Sequence, residues 1–132
     1  MDPVPPLKIL LVEDNPINQK VASRVLEKAG HSVTIAGNGI EALTHVSGRD
    51  FDLVLMDVMM PEMDGLTATV AIREREQGTD RHLPIVALTA NAMEGDREKC
   101  LDAGMDGYVS KPIQMSILFE EIRRALRRFR NS

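Results

Sequence analysis

The sequence predicts an α/β domain built on an open, doubly wound parallel sheet, and three observations predict it. Short apolar, β-rich runs alternate with longer segments of helical period, the signature of βα units. Five such units can be counted along 132 residues, the length of one domain. The first, third and fourth runs are apolar almost throughout, as strands covered on both faces must be.

Element by element, a Pro-rich segment over residues 1–6 is expected to be an extended or disordered tail, and residues 7–130 the folded domain. The strands are expected at Leu7–Val12, Ser32–Ala36, Asp52–Asp57, Pro84–Thr89 and Gly107–Ser110. Between the first two, Asn15 followed by Pro16 reads as an N-cap with proline at the first helical position. Ile17, Val21, Val25 and Ala29 then fall on one helical stripe, expected to face the core, and Gly30 ends the helix. The other helices are expected over Asn38–Gly48, Leu66–Gln77, Met93–Gly104 and Gln114–Phe129, with Gly30, Gly48 and Gly104 as left-handed C-terminal residues.

Composition excludes several classes. With 43% hydrophobic and 27% charged residues the chain is of ordinary globular type, and its single cysteine, Cys100, rules out a disulfide framework or a cysteine metal cage. A reducing compartment, the cytoplasm, is the expected location, with Cys100 a small buried hydrophobe. No apolar run approaches the ~20 residues of a membrane span, and MDPVPP lacks the regions of a signal peptide. The net charge of −4 gives no field for nucleic acid. The C-terminal arginines, Arg123 to Arg130, read as a solvated helix end, with Glu120 and Arg124 spaced to pair at i,i+4. His31, His45 and His82 are scattered and read as surface or packing residues.

In an open sheet of this kind ligands bind beyond the carboxyl ends of the strands. There the sequence turns polar: Glu13 and Asp14 after the first strand, Asp57 at the end of the third, Thr89 at the end of the fourth, Ser110 and Lys111 at the end of the fifth. If the first and third strands are neighbours, three carboxylates converge and call for a cation. A hard divalent ion such as Mg²⁺, which takes oxygen ligands, fits them. Lys111 adds an ammonium and Thr89 a hydroxyl donor. This is equipment for placing a phosphoryl group on a carboxylate, with Asp57 as the nucleophile. Met56, Met59, Met60 and Met63 beside it read as gap-filling side chains.

The segments ILLVEDN, LVLMDVMMPEMDG, IVALTA and GYVSKPI, in this order and spacing, resemble the receiver domain of the two-component response-regulator family, from Lys8 to about Leu126. The resemblance implies a flavodoxin-like sheet of order 2-1-3-4-5. It implies Asp57 as phosphoacceptor, Asp14, Asp57 and the Met59 main-chain carbonyl as ligands of Mg²⁺ (or Mn²⁺), and Glu13 holding a metal-bound water. Lys111 would contact the phosphoryl group, Thr89 and Tyr108 would form a switch pair, Ala90 would keep space open and Pro112 would follow a cis peptide bond. The implied partner is a histidine kinase or histidine phosphotransfer domain, meeting the chain at the first helix beside Asn18. A weak or phosphorylation-dependent dimer is a further implied association.

LVEDNPINQKVA and PIVALTANAMEGDREKCLDAGMDGYVSKPI look most like receivers attached to hybrid sensor histidine kinases, whose parent chain can be membrane-anchored. The alternatives are a stand-alone single-domain regulator and a receiver-like module that binds partners without phosphate. Enzymes of the haloacid-dehalogenase type require a second aspartate two residues after the nucleophile, where this chain has Met59. A flavin-binding electron carrier requires a Ser/Thr/Gly-rich loop where this chain has EDNPIN, and a P-loop is absent. The expected role is therefore that of a phosphoacceptor domain and not of an enzyme acting on a separate substrate.

Overall fold

The computed structural model describes residues 6–48, 50–58, 65–79, 82–89, 94–110 and 114–130. Strands β1 (Lys8–Val12), β2 (Ser32–Ala36), β3 (Leu53–Asp57), β4 (Ile85–Thr89) and β5 (Gly107–Ser110) alternate with helices α1 (Pro16–Lys28), α2 (Gly39–Gly48), α3 (Gly65–Glu76), α4 (Glu94–Ala103) and α5 (Met115–Arg130). The expected boundaries hold to within one residue, the uncertainty usual for element ends.

All four strand pairings are parallel and the order is β2-β1-β3-β4-β5, the flavodoxin-like arrangement. β3 and β4 are buried along their whole length and β1 from Ile9 onward. The sheet divides the core in two, because side chains alternate across it. On one face Ile9, Leu11, Leu55 and Leu88 pack with Leu26 of α1 and Leu118 and Ile122 of α5. On the other, Leu10, Val12, Val54 and Met56 pack with Ala42, Ala68, Ile72 and Cys100 from α2, α3 and α4.

Asn15 caps α1 as its sequence suggests, its side chain accepting from the amides of Ile17 and Asn18 at 2.9 and 3.2 Å. The buried face of that helix differs from the expected stripe. Ala22 and Leu26 face the core, whereas Ile17 and Val21 are 73% and 55% exposed and Ala29 is exposed. Both sets satisfy helical spacing, and the helix is turned so that Ala22 and Leu26 pack with Ile9, Leu11 and Leu55 of the sheet. Two glycine and charge assignments are also corrected. Gly48 is the last helical residue of α2, while Gly78 takes the left-handed conformation after α3 alongside Gly30 and Gly104. Arg124, expected to pair with Glu120, pairs with Glu121 at i,i+3, at 3.0 Å.

His31 is a packing residue in a specific sense. It is buried at the amino-terminal end of β2, its Nδ1 accepts a hydrogen bond from the Leu7 amide at 3.0 Å, and its ring centroid lies 6.4 Å from that of Phe119. Burial lowers its pKa from 6.5. Cys100 is buried, as expected.

Candidate functional site

The register of three adjacent strands assembles the site. β1 and β3 pair directly, with Val12 opposite Met56, so the residue following each pair sits at the carboxyl end of the sheet. Glu13 is held there by its own amide, which donates to the Ala36 carbonyl of β2 at 3.0 Å. The Glu13 side chain is buried and its Oε2 accepts from the Asp14 amide at 3.1 Å; the Asp14 side chain is exposed above it. Asp57, the last residue of β3, is 3% exposed. Carboxylate oxygens of Glu13, Asp14 and Asp57 lie within 4.8 Å of one another.

Three like charges so close repel strongly, and more so where two of them are withdrawn from water. A divalent cation placed among them relieves that repulsion, and an all-oxygen donor set suits Mg²⁺ better than a softer metal. The chemistry of the donors thus fits the metal that the sequence led us to expect.

β4 contributes Thr89, 2% exposed, one strand away from Asp57, which registers with its neighbour Leu88. Tyr108 of β5 registers with Ala87 and is half-buried against the α3/α4 side of the core. Thr89 and Tyr108 are therefore two residues apart across neighbouring strands. The remaining expected site residues, Met59, Ala90, Lys111 and Pro112, lie outside the described residues. Asn18, expected to be exposed on α1, is half-buried, and Ile17 and Val21 dominate the exposed surface beside it.

Gly65 closes the segment LVLMDVMMPEMDG, one residue before the helix expected at Leu66. It is the first residue of α3, its amide donates to the Val58 carbonyl at 3.2 Å, and a Cβ there would collide with the Asp57 carbonyl oxygen and lie 2.9 Å from Met56 Cγ. Any larger residue would push on the backbone that carries Asp57, so the glycine sets how closely α3 can approach β3. The adjoining hydroxyl of Thr69, fully buried, caps the Gly65 carbonyl at 2.7 Å.

A sheet of this order with acid residues at the ends of β1 and β3 and a hydroxyl at the end of β4 defines a class of phosphate-handling α/β domain. The chain belongs to the response regulator receiver domain family, whose model matches residues 9–123. It is 48% identical over 122 residues to hybrid signal transduction histidine kinase I of Dictyostelium discoideum, covering 89% of this chain and 7% of that protein. It is 42% identical over 137 aligned positions to histidine kinase 5 of Arabidopsis thaliana, covering 86% of this chain and 15% of that protein. The chain thus spans a small part of the curated relatives it matches. Among solved structures it is similar to the receiver domain of a Pseudomonas aeruginosa sensor histidine kinase, with TM-score 0.78, 44% identity and coverage of 96% and 99% of the two chains. That structure carries a magnesium ion coordinated in its active site cleft. A chemotaxis protein of Vibrio cholerae gives TM-score 0.84 at 30% identity, covering 92% of this chain and 99% of that one. Among the described residues no helix is long and apolar enough to cross a membrane.

Proposed function

We propose that this domain accepts a phosphoryl group on Asp57 from a phosphohistidine and passes the event on through its β4–β5 side. The observation that carries this reading is the convergence of Glu13, Asp14 and Asp57 at one end of the sheet. Asp14, Asp57 and the Met59 carbonyl would hold Mg²⁺, or Mn²⁺ in its place, and Glu13 would hold a water of the metal. When bound, the ion would supply positive charge against the phosphoryl oxygens.

An Asp57 carboxylate oxygen forms the new bond to phosphorus as the bond from phosphorus to the donor imidazole breaks, and the electron pair leaves with the imidazole. Lys111 pairs with a phosphoryl oxygen, Thr89 donates its hydroxyl to another, and Ala90 and Pro112 keep the approach open. As Thr89 moves toward the phosphoryl group, the half-buried Tyr108 ring turns inward, and the face formed by α4, β5 and α5 changes shape.

The partner is a histidine kinase or histidine phosphotransfer domain. In-line transfer brings its imidazole over the carboxyl ends of the strands, so it covers the start of α1, where Asn18 and the exposed Ile17 and Val21 stand next to Asp14. High identity to hybrid kinases supports an origin as the receiver part of such a chain, working in the cytoplasm, with residues 7–130 as its folded unit. A stand-alone regulator is the second reading. The domain has no role in specific nucleic-acid binding.

The test is incorporation of labelled phosphoryl from a small phosphodonor and from a phosphorylated histidine protein, with and without chelator. Incorporation that is lost in Asp57→Asn and on chelation is expected. Equal labelling of Asp57→Asn and the parent chain, or indifference to chelator, overturns the assignment.

A further inference from the structure

At the amino-terminal end of the sheet, far from Asp57, three segments close on one guanidinium. Arg73 of α3 donates from Nε to the Gly104 carbonyl at 2.9 Å and from Nη1 to the Leu83 carbonyl at 2.9 Å and Glu76 Oε1 at 2.7 Å. Its Nη2 donates to Asp106 Oδ2 at 2.9 Å. Asp106 accepts as well from the Ile85 amide at 2.8 Å and stands 2.9 Å from His82 Nε2, while Glu76 Oε2 accepts from the Leu83 amide at 2.6 Å. The Asp106 side chain is 5% exposed and that of Arg73 17%, so these are charge-assisted bonds largely out of water. The planar fork of arginine suits such a many-armed junction, and a lysine could not span it.

Gly104 is shaped to this contact. It lies at φ +106°, and a Cβ on it would stand 2.8 Å from Arg73 Cγ. The turn it forms is closed by the Gly104 amide to Leu101 and the Met105 amide to Cys100, each at 3.0 Å, which ties the last turn of α4 to the bracket.

The carboxyl half of α4 buries little apolar surface. Of its residues 98–103, Cys100 is buried, Ala103 is half-buried and the rest are exposed, Leu101 at 44%. α5, in contrast, buries Leu118, Ile122 and Ala125 against the sheet. This half of the helix, with so small an apolar hold, is positioned by its end at Gly104.

We propose that Arg73 and Asp106 form a pivot: they fix the carboxyl end of α4, so that displacement following occupation of the Asp57 site is confined to the amino-terminal half of α4 and the end of β4. This rests on the receiver reading given above. The physical reason is geometric. Moving Gly104 and Asp106 together past hydrogen-bond reach, about 3.5 Å, breaks the bonds of Arg73 to both at once, whereas rotation about them breaks none. Arg73 is a positioning residue here and touches neither phosphate nor metal.

The experiment compares amide spectra of the full chain with Mg²⁺ before and after addition of beryllofluoride, a phosphoryl mimic, in the parent, Arg73→Met and Arg73→Lys. In the parent, Thr89 and residues 94–98 shift while Ile85, Gly104, Met105 and Asp106 keep their positions. In Arg73→Met the response spreads to Gly104–Asp106, and hydrogen exchange in the last turn of α4 quickens about tenfold or more. Mg²⁺ affinity and phosphoryl incorporation stay within about twofold. If Arg73→Met does not fold, Arg73→Lys is read in its place, since it keeps the charge and loses the fork. Parent shifts at Gly104–Asp106 as large as those at Thr89, or an identical pattern in the folded variants, overturn the pivot alone. A parent spectrum that responds nowhere overturns the receiver reading and the pivot with it.

Discussion

Opposite ends of the sheet each gather carboxylates, and the two gatherings differ in what surrounds them. At the carboxyl ends of β1 and β3, Glu13, Asp14 and Asp57 face one another within 4.8 Å. At the amino ends of β4 and β5, Glu76 and Asp106 face Arg73, His82 and the amides of Leu83 and Ile85. One end brings acids close enough for a single cation to bridge them; the other sets an arginine, a histidine and two amides around its acids. On the proposed reading, ligand binding at the first end drives a change and the second end is the frame it moves against.

Removing a carboxylate should accordingly have opposite consequences at the two ends. Asp106→Ala leaves the Ile85 amide without its acceptor and Arg73 with Glu76 as its remaining carboxylate, and a loss of about 1–3 kcal/mol in urea unfolding is expected, the cost typical of an unsatisfied buried donor. Asp14→Ala should leave metal-free stability unchanged or raised, while abolishing the increase in unfolding midpoint that Mg²⁺ gives the parent. A destabilised Asp14→Ala in metal-free buffer would erase the contrast between the ends.

The contrast sharpens at Gly65, where packing and site coincide. Gly65→Ala should cost about 1–3 kcal/mol through overpacking against the Asp57 carbonyl and Met56. It should also lower phosphoryl incorporation, because the strand end itself is displaced. Incorporation at the parent rate in a destabilised Gly65→Ala would show that α3 and Asp57 move independently.

On α1 the two helical stripes separate stability from partner contact. Ile17→Ser and Val21→Ser should change unfolding free energy by no more than about 0.5 kcal/mol, as exposed positions do, yet slow transfer from a phosphorylated histidine protein. A small phosphodonor should label these variants at the parent rate. Slowing with both donors would mean that the stripe supports the site and not the partner.

The smallest expected effect is a pH dependence at the amino end. Neutral His31 accepts from the Leu7 amide, and burial lowers its pKa from 6.5, so the unfolded chain binds the proton more readily than the folded one. The stability this gives is full above about 6.5 and is lost as pH falls through the lower, folded value. His31→Gln should flatten the pH dependence of the urea midpoint between pH 7.5 and pH 5; an unchanged slope would remove His31 as its source.

How legible these features were from the sequence depended on how local their causes are. β1, β3 and β4 were readable because burial on both faces leaves unbroken apolar runs such as LVLM before Asp57. The acid cluster was readable once strand ends were compared, since Glu13, Asp14 and Asp57 end their strands in plain view. The buried face of α1 was not, because Ile17–Val21 and Ala22–Leu26 share the same spacing and only the packing partner selects between them. Arg73 and Asp106 are 33 residues apart with no periodic signal joining them. Gly65 stands in plain view before the helix expected at Leu66, but the press of α3 on the Asp57 carbonyl is a tertiary fact. His82 likewise looked like an isolated surface histidine until the fold placed Asp106 beside it.

The hydrogen bond between the Gly65 amide and the Val58 carbonyl, at 3.2 Å, also works as a neck. It joins the chain on either side of residues 59–64, so that whatever those six residues do, their two stems are already stapled one step from Asp57. Loop-closure entropy grows only slowly with length, about 0.6 kcal/mol per doubling. A change of length between the stems is then thermodynamically cheap, and the backbone at Val58, next to Asp57, stays pinned to the first residue of α3 whatever length of chain joins them.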